Sequence, residues 1–244
     1  MLTHADIKLI KSLSLKKFRD ESGLFTVEGE KLVGEALRSR FTVERVLRRD
    51  DIGEAAMARI SSLSSPSPVL ALVRKPADLE SASVPPRGLL LALDGIRDPG
   101  NLGTILRIAD WFGVDAVVAS PDTVDVFNPK VVQATMGAIF RVRFHYADIP
   151  AFCRQVRAAG GSVYGTFLDG ENLYDKALSG GADAPALLVI GNEANGISQE
   201  VASCVNERLY IPPYPAGSPG SESLNAAVAT AIVVAEVRRR AQIL

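Results

Sequence analysis

Short amphipathic segments and apolar runs alternate over the first third of the chain. Charged and aliphatic residues recur at helical spacing in four segments, which predicts helices over residues 5–12, 15–18, 29–38 and 55–63. Runs rich in valine and leucine predict strands at residues 41–47 and 69–73. This order of elements indicates a small α/β domain over residues 1–80.

From residue 88 onward the aliphatic positions run together instead of alternating with polar ones. Five such runs predict strands at residues 89–93, 116–119, 162–166, 186–190 and 209–211. Helical patterns accompany them, ending at residue 112 and covering residues 129–139, 150–159 and 224–244. Apolar strands that alternate with helices are typical of an α/β fold with a parallel sheet. We therefore predict a second domain at residues 89–244, joined to the first by a linker at residues 81–88.

Composition and charge narrow this picture only slightly. The 244 residues are 47% apolar with a net charge of −1, which fits a globular protein with one or two cores and excludes a generally cationic one. Positive charge is nevertheless clustered, first in a stretch without acids at Lys8, Lys11, Lys16, Lys17 and Arg19. A second cluster follows at Arg38, Arg40, Arg45, Arg48 and Arg49. On charge alone, solvated helix faces and a phosphate-binding surface remain alternatives.

Several classes of function lack their characteristic residues. Cys153 and Cys204 are too few for a disulfide framework and show no metal-ligand spacing, and His4 and His145 stand alone. We therefore expect no metal site and no Ser-His-Asp hydrolase. The glycine-rich fingerprints of dinucleotide dehydrogenases and of nucleotide triphosphatases do not occur. No secretion signal or membrane-length apolar run is present, so we expect a cytoplasmic protein without a membrane partner.

Three predicted strands end in polar loops, where ligands bind in open α/β sheets. The first loop reads DGIRDPGNLG, with Asn101 as a candidate helix N-cap and Arg107 one or two turns further on. The second reads GNEANGIS and carries Glu193. The third is rich in proline and leads through Ser223, another candidate N-cap, to Asn225. Glycine turns and helix caps of purely structural use are the alternative interpretation.

Taken together, the three loops resemble the three motifs of the SpoU/TrmH family of RNA ribose methyltransferases. The resemblance covers residues 89–238 in matching order and spacing. NLGTILR at residues 101–107 resembles the first motif, GNEANGI at residues 191–197 the second, and the segment 211–225, ending in SLN, the third. The N-terminal stretch, with KKFR at residues 16–19, resembles the substrate-binding domain often fused before this catalytic domain.

The resemblance implies a homodimer in which each chain has an L30e-like RNA-binding domain before a trefoil-knotted SPOUT methyltransferase domain with a parallel sheet flanked by helices. It implies transfer of a methyl group from S-adenosylmethionine to a ribose 2′-hydroxyl of RNA. Ribosomal RNA of the 23S type is the favoured substrate, and transfer RNA is the alternative. A further alternative is a protein that binds RNA or the ribosome and has kept the fold without catalysis. The intact motif residues argue against it.

The resemblance also assigns roles to individual residues. The polar active-site positions match Asn101, Arg107, Glu193 and Asn225. The loops that bind S-adenosylmethionine match Thr166, Gly191, Ile211, Ser223 and Leu224. The basic N-terminal segment assigns RNA contacts to Lys16, Lys17 and Arg19. Because arginine normally stays protonated in proteins, our hypothesis for Arg107 is stabilisation of a developing alkoxide or of a phosphate. General-base catalysis, which would require Arg107 to lose its proton, is the alternative.

The chain departs from the family pattern at four places. Ala194 stands where glycine is common, Pro213 where methionine is frequent and Gln133 where arginine is frequent. The loop at residues 213–221 is longer than usual. We expect the methyl group of Ala194 to affect the affinity for the cofactor, and the longer loop to affect how the site closes.

Overall fold

The computed structural model describes residues 2–79, 82–215 and 223–241. They form two compact units. The first unit joins Met1–Ala77 to a later segment, Asp125–Arg141, and the second consists of Asp78–Val124 and Val142–Leu244. The division into domains at residues 1–80 and 89–244 stays a prediction.

The helices and strands follow one another in this order: α1 (His4–Ser12), α2 (Lys16–Ser22), β1 (Leu24–Glu28), α3 (Glu30–Arg38), β2 (Val43–Arg48), α4 (Arg49–Ile52), α5 (Glu54–Ile60), β3 (Val69–Arg74), β4 (Gly88–Asp94), α6 (Pro99–Trp111), β5 (Ala116–Ala119), α7 (Pro129–Ala134), β6 (Phe144–Tyr146), α8 (Ile149–Ala158), β7 (Ser162–Asn172), β8 (Pro185–Gly191), α9 (Gln199–Ala202), β9 (Glu207–Tyr210) and α10 (Ala226–Ala241). A 3₁₀ turn at Ala138–Phe140 follows α7. None of the described helices is long and apolar enough to span a membrane.

The first unit is built on a three-stranded antiparallel sheet with β3 in the centre, between β1 and β2. Its core includes Leu13, Met57 and Leu70, each at most 1% exposed. The Asp125–Arg141 segment packs into the same unit, where the Phe127 ring lies 4.5 Å from that of Phe25. The first unit therefore depends on two separate stretches of the chain.

Arg19 is a structural residue of the first unit. Its side chain is buried, and its Nε and Nη2 atoms donate to Asp125 Oδ2 at 2.9 and 2.5 Å. Its Nη1 atom donates to the carbonyl oxygen of Leu13 at 2.7 Å. The side chain of Arg19 is only 2% exposed and is occupied by these partners, so the assignment of Arg19 to RNA binding is corrected to a structural role. Gln133, the departure from arginine, donates to the carbonyl oxygen of Glu28 at 2.7 Å.

The second unit confirms the predicted α/β fold, with six parallel strands in the order β6-β5-β4-β8-β7-β9. The central strands β4 and β8 are almost wholly buried. On one face, Leu90 and Val189 pack against Phe152 and Val156 of α8. The opposite face, which includes Leu91, is equally buried, because successive side chains of a strand point to opposite sides of the sheet. Burial on both faces accounts for the continuous apolar runs in the sequence.

The helix predicted at residues 129–139 ends early. Met136 and Gly137 have φ angles of 51° and 100°, which an α-helix cannot accommodate, so α7 stops at Ala134. The sequence patterns also missed β1, β6 and the short helices α4 and α9. The predicted helix at 224–244 is α10, whose last predicted residues, 242–244, lie outside the described part.

Arginines near the end of α10 fasten this helix to the rest of the second unit. Arg238 donates to the carbonyl oxygens of Phe112 and Gly113, at the end of α6. Arg239 and Arg240 both bind the buried carboxylate of Glu236, at 2.8 and 2.6 Å. Hydrogen bonds, first from Arg239 and then from Arg240, hold the pKa of Glu236 at about 2, below its ordinary value of 4.5.

We expect Glu236→Gln to lower the melting temperature at pH 7 and to have less effect in acid. Because the folded-state pKa is depressed, the ion pairs contribute their full stability above pH 4.5 and lose it as the pH falls toward 2. Thermal unfolding of both proteins between pH 7 and pH 3 measures this difference. Glu200→Gln, which changes an exposed carboxylate, is the control. A melting difference that does not shrink in acid would contradict the assignment.

Candidate functional site

The carboxyl ends of β4 and β8 form a crevice at the centre of the sheet. From β4 the chain proceeds to β5 on one side, while β8 occupies the other side, and ligands bind at such switch points in open α/β sheets. The loops that follow the two strands are tied together. Asn192 Nδ2 donates to the carbonyl oxygen of Gly95 at 2.7 Å, and the Ser198 amide donates to Asp94 Oδ2 at 2.7 Å.

The start of α6 places Asn101 at this crevice. Asp98 is the N-cap, because its Oδ1 accepts from the Asn101 amide at 2.7 Å and Pro99 occupies the first helical position. The prediction of Asn101 as the cap is therefore wrong. Its side chain is free for another contact, and its Nδ2 donates to Glu193 Oε1 at 2.7 Å.

The start of α10 completes the arrangement. Asn225 is the N-cap of this helix, since its Oδ1 accepts from the amides of Ala227 and Val228 at 3.0 and 3.3 Å. This corrects the candidate cap at Ser223. The Nδ2 atom of Asn225 donates to Asn101 Oδ1 at 2.8 Å. The Asn225–Asn101–Glu193 chain thus joins the three motif loops through side chains.

The Asn225–Asn101–Glu193 chain ends on an exposed carboxylate. Each amide donates toward the next residue, and such aligned hydrogen bonds reinforce one another. Glu193 uses Oε1 within the chain, and its Oε2 has no partner among the described residues. This oxygen is an acceptor with a fixed position, suited to a hydroxyl or amino group of a ligand.

Arg107 lies outside the Asn225–Asn101–Glu193 chain. It follows Asn101 by six residues on α6, which turns its side chain about 120° away around the helix axis. Arg107 is exposed and makes no hydrogen bond or ion pair with any residue of the described ranges. It therefore offers a charged group with five N–H donors to a bound molecule.

We expect Asn101→Ala to lower kcat of the reaction at this site by about 10- to 100-fold, because it removes the charge-assisted hydrogen bond that orients Glu193. Asn225→Ala should act through the same chain, so the double variant should be no slower than the slower single variant. Single-turnover rates of the three proteins test this coupling. Asn195→Ala, at an exposed neighbour, is the control, and fully additive losses would contradict a shared role.

The residues assigned to the cofactor lie at the same carboxyl edge. Thr166 on β7 pairs with Leu209 of β9, and Ile211 follows β9 directly. Gly191 ends β8, where an added Cβ would lie 2.2 Å from the carbonyl carbon of Gly196. Ser223 and Leu224 are exposed just before α10. The close approach at Gly191 explains why this position takes no side chain.

A short arch follows Thr166 within β7. Both Thr166 and Glu171 pair with Leu209, so residues 167–170 form an irregularity of the strand between the two pairs. Arg208 of β9 holds the arch, with its guanidinium 3.5 Å above the ring of Phe167 and 2.5 Å from Asp169 Oδ1. The hydrogen bond from Arg208 lowers the pKa of Asp169. Arg208 was not singled out from the sequence, because its partners lie on another strand.

Asn192 is a second residue that the sequence patterns did not single out. Its Oδ1 accepts from the amides of Ala194 and Asn195 at 2.9 and 3.2 Å, which shapes the turn that carries Glu193. Asparagine often bonds to the backbone two residues on, so its place before Glu193 was the available signal. Ala194 is exposed on this turn. Residues 216–221 of the longer loop lie outside the described part of the chain.

Known protein families match both parts of the chain. The sequence pattern of the SpoU rRNA Methylase family matches residues 88–235, and that of the MRM3-like substrate binding domain matches residues 4–64. The chain is 33% identical to the Bacillus subtilis 23S rRNA (guanosine(2553)-2′-O)-methyltransferase RlmP, over 95% of each chain. It is 27% identical to the human mitochondrial rRNA methyltransferase 3, over 92% of this chain and 70% of the relative.

Solved structures agree with the sequence matches. The AdoMet-bound rRNA methyltransferase from Sinorhizobium meliloti superposes with a TM-score of 0.86 and 31% identity, over 98% of this chain and 96% of that one. The match covers both the six-stranded sheet and the smaller antiparallel sheet. The extent of these matches and the motif residues gathered at the crevice lead to one conclusion: the chain belongs to the SpoU rRNA methylase family.

Proposed function

We propose that this protein transfers a methyl group from S-adenosylmethionine to a ribose 2′-hydroxyl of ribosomal RNA. The observation that carries the proposal is the Asn225–Asn101–Glu193 chain, which unites the three motif loops at the carboxyl edge of the sheet. The rRNA 2′-O-methyltransferase relative, similar over 95% of each chain, supports ribosomal RNA as the substrate.

The carboxyl edge fits S-adenosylmethionine as cofactor. Apart from Gly196 and its two chain neighbours, no atom of the described residues lies within 4 Å of the position that a Cβ of Gly196 would take, so a ligand can approach the exposed backbone there. Thr166, Gly191, Ile211 and the Ser223-Leu224 pair are the residues that would hold the cofactor, largely through backbone groups. When bound, S-adenosylmethionine supplies a methyl group activated by its sulfonium.

The residues of the chain itself position and polarise the acceptor ribose. Glu193 accepts a hydrogen bond through Oε2, while Asn101 and Asn225 fix its orientation. Arg107 stabilises negative charge that develops on the 2′-oxygen, or holds the adjacent phosphate, through charge-assisted hydrogen bonds. Alignment of the reacting groups contributes up to about 7–11 kcal/mol in favourable cases. Alignment and charge stabilisation are therefore the two contributions that these residues make.

The trefoil knot and the homodimer belong to the same proposal. The α10 helix begins beside Asn101 and ends beside Phe112, so it runs parallel to α6 after the chain has returned from the edge strand β9. Trp111 at the end of α6 and Val228 in the first turn of α10 are 85% and 49% exposed, and such apolar side chains are available for contact with a second copy. Light scattering on the purified protein measures the predicted dimer.

Two experiments together test the proposed function. Calorimetric titration with S-adenosylmethionine should show saturable binding, and its absence would favour the non-catalytic alternative. Mapping of 2′-O-methylation in cells with and without the protein should reveal a lost position in large-subunit ribosomal RNA. A lost position in transfer RNA instead would overturn the choice of substrate.

A further inference from the structure

We propose that the first unit receives the substrate RNA at a cavity lined in part by Lys11, together with Lys8 and Lys130 on α1 and α7, two helices that contribute lining residues, and that Lys16 and Lys17 contribute little. This inference rests on the proposed function, because it takes the partner to be RNA. It concerns the docking surface, which the charge clusters in the sequence left undecided. Three sets of observations on the first unit support it.

The lysines of α2 are neutralised by carboxylates of the same helix. Lys16 Nζ lies 2.6 Å from Asp20 Oδ2, and Lys17 Nζ lies 3.9 Å from Glu21 Oε1. Asp20 also receives Lys75 at 2.5 Å. Although burial acts to raise it, hydrogen bonds from Lys16 and Lys75 bring the pKa of Asp20 below its ordinary value. A phosphate approaching α2 would therefore meet lysines that are already paired with carboxylates.

Lys8, Lys11 and Lys130 are exposed and lack such compensation. None of them forms an ion pair with any residue that the structure describes. Lys8 and Lys11 lie three residues apart on α1, so they share one face of that helix. Lys130 follows Pro129 at the start of α7. Free ammonium groups of this kind supply the electrostatic part of RNA binding.

A cavity of about 170 Å³ is lined by residues of both α1 and α7. Its walls include Lys11 and Pro129 and the hydroxyl residues Ser14, Thr26 and Ser62. A site for one water needs only about 10–15 Å³, so the cavity admits a larger group. The hydroxyls of Ser14 and Ser62 already donate within the protein, to the Lys11 carbonyl oxygen and to Glu28, so toward a ligand they can only accept. The hydroxyl of Thr26 can both donate to and accept from a ribose or the edge of a base.

The buried carboxylate of Glu28 is hydrogen-bonded to two serines of the cavity wall, Ser61 and Ser62. Glu28 accepts from the hydroxyl of Ser61 at 2.5 Å and from the amide and hydroxyl of Ser62 at 3.0 and 3.2 Å. The Ser67 amide donates to it as well, at 3.2 Å. Four donors thus satisfy the carboxylate, and they order the serine-rich segment beside the cavity.

The surface therefore combines free positive charge with a hydroxyl-lined recess. Phosphates of the RNA bind Lys8, Lys11 and Lys130, and one unpaired nucleotide enters the cavity, where Thr26 bonds to it. The Thr26 side chain makes no hydrogen bond with any described residue. Because a ribose 2′-hydroxyl offers a partner that deoxyribose lacks, this surface should prefer RNA to DNA of the same sequence.

The test is binding of the full-length protein to a large-subunit ribosomal RNA transcript between about 50 and 300 mM salt, a range over which phosphate binding weakens strongly. Replacing Lys8, Lys11 and Lys130 by glutamine should reduce the slope of log K against log salt by about 0.7–0.9 for each phosphate that is no longer neutralised. The matched double variant, Lys16→Gln with Lys17→Gln, should leave the slope nearly unchanged. Thr26→Val should weaken binding about three- to tenfold without changing the slope.

The inference would be overturned if the triple variant and the wild type had equal slopes of log K against log salt. It would also be overturned if the double variant of Lys16 and Lys17 changed this slope more than the triple variant does. If the Thr26→Val variant binds the RNA as tightly as the wild type, the cavity is not part of the docking surface. Failure of the proposed function looks different: the wild-type protein would then neither bind nor methylate the transcript. If the wild-type protein methylates the transcript and only the salt slopes of the variants differ from those expected, then only the assignment of the docking surface is wrong.

Discussion

Arg107→Ala is expected to lower the rate of methyl transfer by about 10²- to 10³-fold, the effect of removing one preorganised donor to a developing negative charge. Arg107 is exposed and without partners among the described residues, so its removal breaks no structural interaction. S-adenosylmethionine affinity should therefore stay unchanged. Single-turnover rates at saturating RNA and cofactor measure the chemical step directly.

The matched variants for Arg107 separate charge from geometry. Arg107→Lys keeps the charge but loses the planar array of donors, so it should recover only part of the rate. Arg157→Ala removes another exposed arginine, on α8, and should have no effect. Full activity in both Arg107 variants would exclude a role in catalysis, and a loss of cofactor affinity alone would move Arg107 to the cofactor site.

Gly191→Ala is expected to reduce the affinity for S-adenosylmethionine by about 10- to 100-fold. The added methyl group would lie 2.2 Å from the carbonyl carbon of Gly196 and 2.3 Å from the amide nitrogen of Ile197. Both neighbours are backbone atoms, so the loop must move as a whole. Overpacking of this kind costs about 1–3 kcal/mol in the free energy of unfolding. Calorimetry and thermal unfolding measure the two effects.

Gly34→Ala is the control for that substitution. Its added methyl group would meet only the end of the flexible Arg38 side chain, at 3.4 Å, inside the helix α3. Alanine is the better helix former, so this variant should be slightly more stable than the wild type. Cofactor affinity that survives Gly191→Ala would show that the loop after β8 does not form the binding surface.

Local patterns predicted most of the six-stranded sheet because a strand buried on both faces needs apolar residues at successive positions. The strand at residues 186–190, for example, is apolar throughout, since both of its faces are covered. The pairing of Asn101 with Glu193, 92 residues apart, has no such local signature. Nor does the burial of Arg19, which depends on Asp125, 106 residues away. Because the sequence near Arg19 gives no sign of Asp125, Arg19 was interpreted as a surface residue of the basic cluster.

The two helix caps show why element ends were harder to predict than elements. The segment DPGN at the start of α6 contains two residues that can cap a helix, and proline directly after Asp98 favours the first of them. At α10 the sequence SLN offers the same choice, and Asn225 takes the cap. The sequence therefore identified Asn101 and Asn225 as residues of the candidate site. Which residue caps each helix could not be predicted, because it depends on contacts with other loops.

The membership of residues 125–141 in the first unit has a consequence for modularity. This segment lies inside the match to the methylase family, yet Asp125, Phe127 and Gln133 bind residues of the N-terminal stretch. A cut near residue 80 would separate Arg19 and Phe25 from these partners. Chimaeras that exchange the N-terminal part between relatives, to redirect the enzyme to another RNA, should therefore carry residues 125–141 along with it.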